Sequence, residues 1–216
     1  MEATTYPVHK IDKGTLQITG KGTSSSWDKA IRLKAFTYPW RNEKAPETTF
    51  QALWDEDYFY FLFRAEDDAI LTKTDPNLSE EREVIHSDRV EIFFKADDDM
   101  NPYYSLEMDA LGRILDTEGR YYRQIDLDWT WPSGHLDVIA ARDEKGYWVE
   151  GKISFESLRM LGMFEKDHLK AGLYRGEYIP LENGQQEVKW ISWIQPDSET
   201  PDFHIPSSFG TLQLIK

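Results

Sequence analysis

The chain reads as a series of short runs in which apolar and polar positions alternate, the period of strands with one buried face. The clearest run is Ser87-Asp88-Arg89-Val90-Glu91-Ile92-Phe93-Phe94. On an extended backbone Val90, Ile92 and Phe94 face one way, and Arg89, Glu91 and Phe93 the other. Its β-branched and aromatic residues favour a strand over a helix. Glu91 therefore sits mid-strand, opposite the best apolar face. A strand acid needs solvent, a cation or a ligand to receive it. Two readings stand: a solvated acid on an outer face, or a polar group on a concave face aimed at a ligand.

The other runs surround this one. Residues 1–26 give an entry strand and a loop, with Ser26 as the N-cap of a short turn that carries Trp27, a core anchor. Residues 37–47 are a Pro-containing loop. Residues 48–54 and 58–65 form a hairpin across Asp55-Glu56-Asp57. Its return strand is apolar on both faces and so is expected to be covered on both sides. Residues 66–83 are acidic and read as a long loop, a length that marks function or disorder. Strands follow at 103–109 and 114–116, then a second long loop at 117–135 holding Tyr121, Tyr122, Trp129 and Trp131. Residues 136–141 and 147–153 form another hairpin, and Ser154 caps the one clear short helix. Strands at 169–178, 187–194 and 209–215 close the chain. The spacing predicts one all-β domain over residues 1–216, a β-sandwich with one short helix.

Composition narrows the partners. With 25 basic and 39 acidic residues the net charge is −14, which argues against nucleic acid and anionic membranes. There are 8 Trp, 11 Tyr and 11 Phe, more rings than a core needs, and rings are what receive flat apolar faces such as those of sugars. No cysteine is present, so thiolate metal sites, thiol nucleophiles and disulfides are excluded. No run approaches the ~18 apolar residues of a membrane span, and the start shows no signal-peptide pattern. Asp97, Asp99 and Asn101 have calcium-loop spacing, but Pro102 and Met108 stand where an EF-hand needs Gly and an acid. No Ser/His/Asp order, phosphate loop or His-x-x-x-His spacing is present.

Six segments in order then carry a resemblance: Trp27-x-x-Ala30; Ala52-Leu53-Trp54-Asp55-Glu56-Asp57-Tyr58-x-Tyr60; Ser87-Asp88-Arg89-Val90-Glu91-Ile92-Phe93; residues 147–153; Trp190-Ile191-Ser192-Trp193; and Phe203-His204-x-Pro206-x-x-Phe209-Gly210-x-Leu212. Together they resemble a family 9 carbohydrate-binding module. The resemblance implies a jelly-roll β-sandwich that binds sugars without cleaving them. It also implies a secreted or periplasmic setting, work beside a glycoside hydrolase on plant polysaccharide, and structural calcium. Of the two tryptophans that sandwich the sugar in familiar members, one place falls at about Ile85 and the other at about Phe203; a ligand-binding arginine falls near Glu107. The expected carbohydrate contacts are Glu91 and Arg175 as a polar pair, Phe203 as the platform, His204, and Trp129 or Trp131 in place of the missing ring. For Glu91–Arg175 a structural ion pair, for Trp193 core packing, and for His204 and His86 a loop or capping role are the competing readings. Calcium ligands are unassigned, with Asp55–Asp57, Asp67–Asp68 and Asp97–Asp99 as the acid-rich loops. The rival functions are an assembly sandwich that has lost the sugar site, and a glycoside hydrolase using two carboxylates.

Overall fold

The computed structural model describes residues 4–164, 166–182 and 185–216. Twelve strands join edge to edge: β1 (Thr5–Lys10), β2 (Thr48–Trp54), β3 (Tyr58–Glu66), β4 (Arg89–Lys95), β5 (Tyr103–Asp109), β6 (Ile114–Arg120), β7 (Gln124–Asp126), β8 (Leu136–Asp143), β9 (Gly146–Ser154), β10 (His168–Pro180), β11 (Gln186–Ser192) and β12 (Gly210–Ile215). Their order is β7-β6-β5-β4-β10-β12-β1-β2-β3-β9-β8, with β11 paired to β10. Pairing is antiparallel except where β1 lies parallel to both β12 and β2. The sheet curls on itself as a sandwich. One half presents Val90, Ile92, Phe94, Leu106 and Leu173 to the core, and the other answers with Phe50, Phe59, Phe61, Phe63 and Val149. Phe59 meets Phe94 edge-on across the layers, ring centroids 6.5 Å apart.

Both outer faces are covered as well. Over β2 and β3, Ile11, Leu16 and Trp27 pack on Leu53, Tyr60 and Leu62. This is why β3 is apolar on both faces. Over β4 and β10, Phe93, Tyr103 and Tyr174 pack with Met100 and Phe203. Every residue of β4 is therefore buried, Glu91 included.

The connections follow local chemistry. Trp27 sits in a short 3-10 helix, Ser25–Lys29, capped by Ser24 rather than Ser26. The long acidic loop contains a helix that alternation did not reveal, α1 (Glu80–Val84), capped by Ser79. Its single turn is too short to carry an apolar period. Ser154 caps α2 (Phe155–Met160) as expected, accepting from the Ser157 amide at 3.0 Å. The expected loop from residue 117 is partly strand, because β6 runs to Arg120 and turns back as β7. Gly146 opens β9 at φ 137°, and a Cβ there would lie 2.0 Å from the Ala65 carbonyl.

Candidate ligand-binding site

The outer face of β4 and β5 holds a cavity of about 260 Å³. Alternation along β4 delivers Arg89, Glu91 and Phe93 to it. The antiparallel register sets Glu107 of β5 opposite Glu91. Trp190 of β11 lies opposite Gly176, where a Cβ would come within 3.2 Å of both the Trp190 ring and Arg89 Nη1. Glycine there lets the indole and the guanidinium close up. Asp202, Phe203 and His204 cover one side, and Arg123 reaches the rim from the β6–β7 tip.

Charge is concentrated at the floor. Arg89 Nε lies 2.9 Å from Glu91 Oε1 and 2.6 Å from Glu107 Oε2. One N–H cannot align with both acceptors, and all three atoms are buried without a hydrogen bond of good geometry. Arg89 is otherwise held by the Ile85 carbonyl at 3.2 Å and lies 5.2 Å from the Trp190 ring. Burial pushes the Glu91 carboxyl above the usual range, and the Glu107 charge adds to this while Arg89 opposes it. Burial and the nearby Arg123 charge hold His204 low, at about 4, so its imidazole is neutral at ordinary pH. The Tyr103 hydroxyl meets its Nδ1 at 2.8 Å. Burial pushes the Asp202 carboxyl up, but the Tyr122 hydroxyl, the His204 amide and Arg123 together hold it low.

Of the residues singled out from sequence, Glu91, Phe203 and His204 meet at this cavity. Phe203 is only 6% exposed, and one face of its ring is stacked on Tyr174. Arg175 is elsewhere. The register pairs Tyr174 with Glu91 and Arg175 with Val90, so Arg175 points to the other face. There it is fully buried, bound to Asp67 at 2.9 Å and Thr48 at 3.2 Å. The expected Glu91–Arg175 pair is replaced by Glu91–Arg89. Trp129 and Trp131 are also away from the cavity. Tyr104 faces the core, and both indoles pack on it, with Trp131 Nε1 donating to Ser157 at 3.1 Å. Trp193 is a core residue, and His86 is exposed, its amide donating to the Glu83 carbonyl at 3.1 Å.

Sequence reading left out Arg89, Glu107, Trp190, Asp202 and Arg123 as contacts. Two signals for them exist in the chain. Arg89 shares the Glu91 face, and alternation in Trp190-Ile191-Ser192-Trp193 sets the two indoles on opposite sides.

Among the described residues no three His, Cys, Asp or Glu side chains gather as a ligand set. Asp55 accepts from the amides of Gly14, Asp57 and Tyr58, Asp97 from those of Asp99 and Met100, and Asp67 from Ala69 and Arg175.

A family model described as carbohydrate family 9 binding domain-like matches residues 18–216. The chain belongs to this family. Family 9 modules are non-catalytic binding modules. Solved structures agree on the fold. A candidate carbohydrate-binding protein from Bacteroides uniformis superposes with a TM-score of 0.70 at 16% identity, covering 98% of this chain and 99% of that one. A family 9 module from Caldicellulosiruptor kristjanssonii in complex with glucose gives 0.60 at 14% identity, with 98% and 95% coverage. One in complex with cellotriose gives 0.58 at 16%, with 97% and 93% coverage. No curated protein sequence matches the chain.

Proposed function

We propose that this family 9 module binds a neutral saccharide unit in the cavity bounded by Glu91, Glu107, Arg89 and Trp190, without cleaving it. The observation that carries the reading is the convergence of Glu91, Glu107 and Arg89, paired at 2.6–2.9 Å, on one cavity walled by the Trp190 ring. Sugar hydroxyls both donate and accept, so vicinal hydroxyls complement two carboxylates bridged by a guanidinium. Such charge-assisted bonds are the stronger kind. The Trp190 indole, half-buried at the wall, offers an apolar surface to a ring face.

Size and charge support the same class. The volume falls below the about 300–1,000 Å³ usual for drug-sized ligands, which suits one or two sugar rings. Three acids and two arginines line the cavity, which disfavours acidic sugars. The bound glucose and cellotriose of the Caldicellulosiruptor modules make β-linked glucose the first candidate.

The module works on this reading beside a glycoside hydrolase acting on plant polysaccharide outside the cytoplasm. Among the described residues no helix is long and apolar enough to cross a membrane.

Calorimetric titration with glucose, xylose, galactose and their short β-linked oligomers tests the reading. Saturable heat for one sugar, lost in Glu107→Gln and Trp190→Ala with folding retained, is expected. Silence across the panel would leave an assembly sandwich without a sugar site. Release of reducing ends from the oligomers, abolished by Glu91→Gln, would make it a hydrolase instead.

A further inference from the structure

We propose that Tyr121 and Tyr122, at the tip joining β6 to β7, form an aromatic subsite for the next residue of a saccharide whose first unit lies in the cavity; this extends the sugar-binding reading and rests on it.

The tip is fixed at the cavity mouth. Arg123 and Asp202 both line the cavity, and they bind each other at 2.9 Å. The Tyr122 hydroxyl donates to the same Asp202 carboxylate at 2.6 Å, and Arg123 Nε donates to that hydroxyl at 3.2 Å. Behind them the Tyr121 amide donates to the Met100 carbonyl at 3.1 Å. The rim of the cavity and the base of the tyrosine pair are therefore one hydrogen-bonded unit.

The rings themselves face outward. Each tyrosine is 51% exposed, well beyond the half-buried Trp190 inside. Their centroids are 5.4 Å apart at 64°, so they present two differently inclined faces. The Arg123 guanidinium lies 5.6 Å from the Tyr122 ring and occupies one side of it. Beyond this contact and the one between the two rings, about half of each tyrosine's surface stays exposed.

A polymer explains this placement. A cavity sized for one or two rings leaves the following unit of a glycan at the mouth. Phenol rings there receive its apolar face and keep its hydroxyls in water. Both rings have few rotatable bonds and the tip is pinned, so little conformational freedom is lost on contact.

Titration of glucose, cellobiose and cellotriose into the wild-type chain and into Tyr121→Ala, Tyr121→Phe and Tyr122→Phe tests the subsite. Tyr121 is chosen because its side chain makes no contact with the cavity-lining acids, so its removal leaves the cavity intact. Cellotriose is expected to bind about tenfold more tightly than glucose, as one stacked ring supplies. Tyr121→Ala should erase that gain while glucose affinity stays within about twofold, Tyr121→Phe should keep it, and Tyr122→Phe, which loses the bonds that pin the tip to Asp202 and Arg123, should lose part of it. A melting temperature unchanged in Tyr121→Ala shows that the fold is intact. Equal affinity for glucose and cellotriose, or a gain that survives Tyr121→Ala, overturns the subsite alone. Absence of saturable binding to all three glucose-based sugars overturns the subsite, and silence for xylose, galactose and their oligomers as well overturns the reading beneath it.

Discussion

Phe203 lies parallel to Tyr174, ring centroids 4.0 Å apart and planes 8° from each other. The stack seats the loop carrying Asp202 and His204 on β10 and closes one side of the cavity. Trp190 meets the same phenyl ring edge-on at 5.7 Å. Phe203→Ala is thus expected to cost about 3–5 kcal/mol of stability, the range for truncating a buried ring, and to weaken ligand binding with it. Chemical denaturation measures the first effect. An unchanged midpoint would mean that Phe203 serves only as a ligand platform. Tyr174→Phe keeps the stack and loses only the hydroxyl, which donates to Ser208 Oγ at 2.8 Å and lies 3.1 Å from the Ser208 carbonyl, so it should cost about 1 kcal/mol.

The three charges beneath the cavity make a different prediction. Arg89 is the cation both glutamates touch, and its side chain is 5% exposed. Arg89→Met leaves two buried carboxylates facing each other and should cost about 3–5 kcal/mol. Adding Glu91→Gln and Glu107→Gln to that variant removes the charges left behind and should restore most of the loss. Urea midpoints of the single and triple variants decide this. A triple variant as unstable as the single one would show that packing, not charge, sets the cost.

Asp88 sets a pH dependence. Burial pushes its carboxyl up to about 7, with the Asp67 charge adding, against the Tyr178 and Leu71 amides and Arg175. The folded state therefore holds this proton more tightly than the unfolded chain, whose aspartate titrates near 3.8. The resulting stability is complete below 3.8 and is lost as pH rises through about 7. Glu91, raised mainly by burial, has the same sign. Melting temperatures should fall between pH 5 and 8, and Asp88→Asn should flatten the slope. The carboxamide oxygen can accept from only one of the two amides, so this variant also starts lower at pH 5. A wild-type profile that rises over this window would refute the assignment.

How much of this was legible in the sequence depended on whether a feature is set within one strand or between strands. The hairpin at residues 48–65 reads directly, because both strands and the Asp55 turn are local. Glu91 on a polar strand face is local too, and so is Arg89 beside it. Arg175 is not. Its face depends on the β10–β4 register, and a slip of one residue turns every side chain over. The same limit hid Glu107, which gains meaning only opposite Glu91. Trp129 and Trp131 looked free because they sit in a polar stretch, yet Tyr104 and Phe94 receive them on the core side.

Three of the acids that sequence alone associates with calcium also shape turns. Asp55, Asp97 and Asp67 cap backbone amides two or three residues on, and Asp55 also receives the Tyr60 hydroxyl at 2.9 Å. With those oxygens engaged, chelator is expected to leave the melting temperature unchanged. A fall of several degrees with EDTA, reversed by added calcium, would show that one of these loops carries an ion.

Glu150 governs the cover on the opposite face of the molecule. It is fully buried on β9, and its Oε2 accepts from the amides of Thr19, Gly20 and Gly22 at 2.8, 2.7 and 3.1 Å. Its Oε1 accepts from Trp27 Nε1 at 2.8 Å. One carboxylate thus gathers the loop into a ring of N–H donors and fixes the indole over Leu53 and Leu62. Gly22 is part of the device: its φ is 61°, and a Cβ would lie 2.3 Å from Leu62 Cδ2. Glu150→Gln keeps the shape, removes the charge and turns an amide group towards donors that need an acceptor. It should cost about 1.5–3 kcal/mol, the range for a hydrogen bond to a charged group. The loss should be local at first, because residues 11–30 cover the sandwich without belonging to its central layers. Amide exchange at Thr19, Gly20 and Gly22 should accelerate well before the strands β3 and β9 lose protection. Uniform acceleration across all of these would mean that the cover and the sandwich unfold as one unit, and that Glu150 stabilises the whole fold and not its flap.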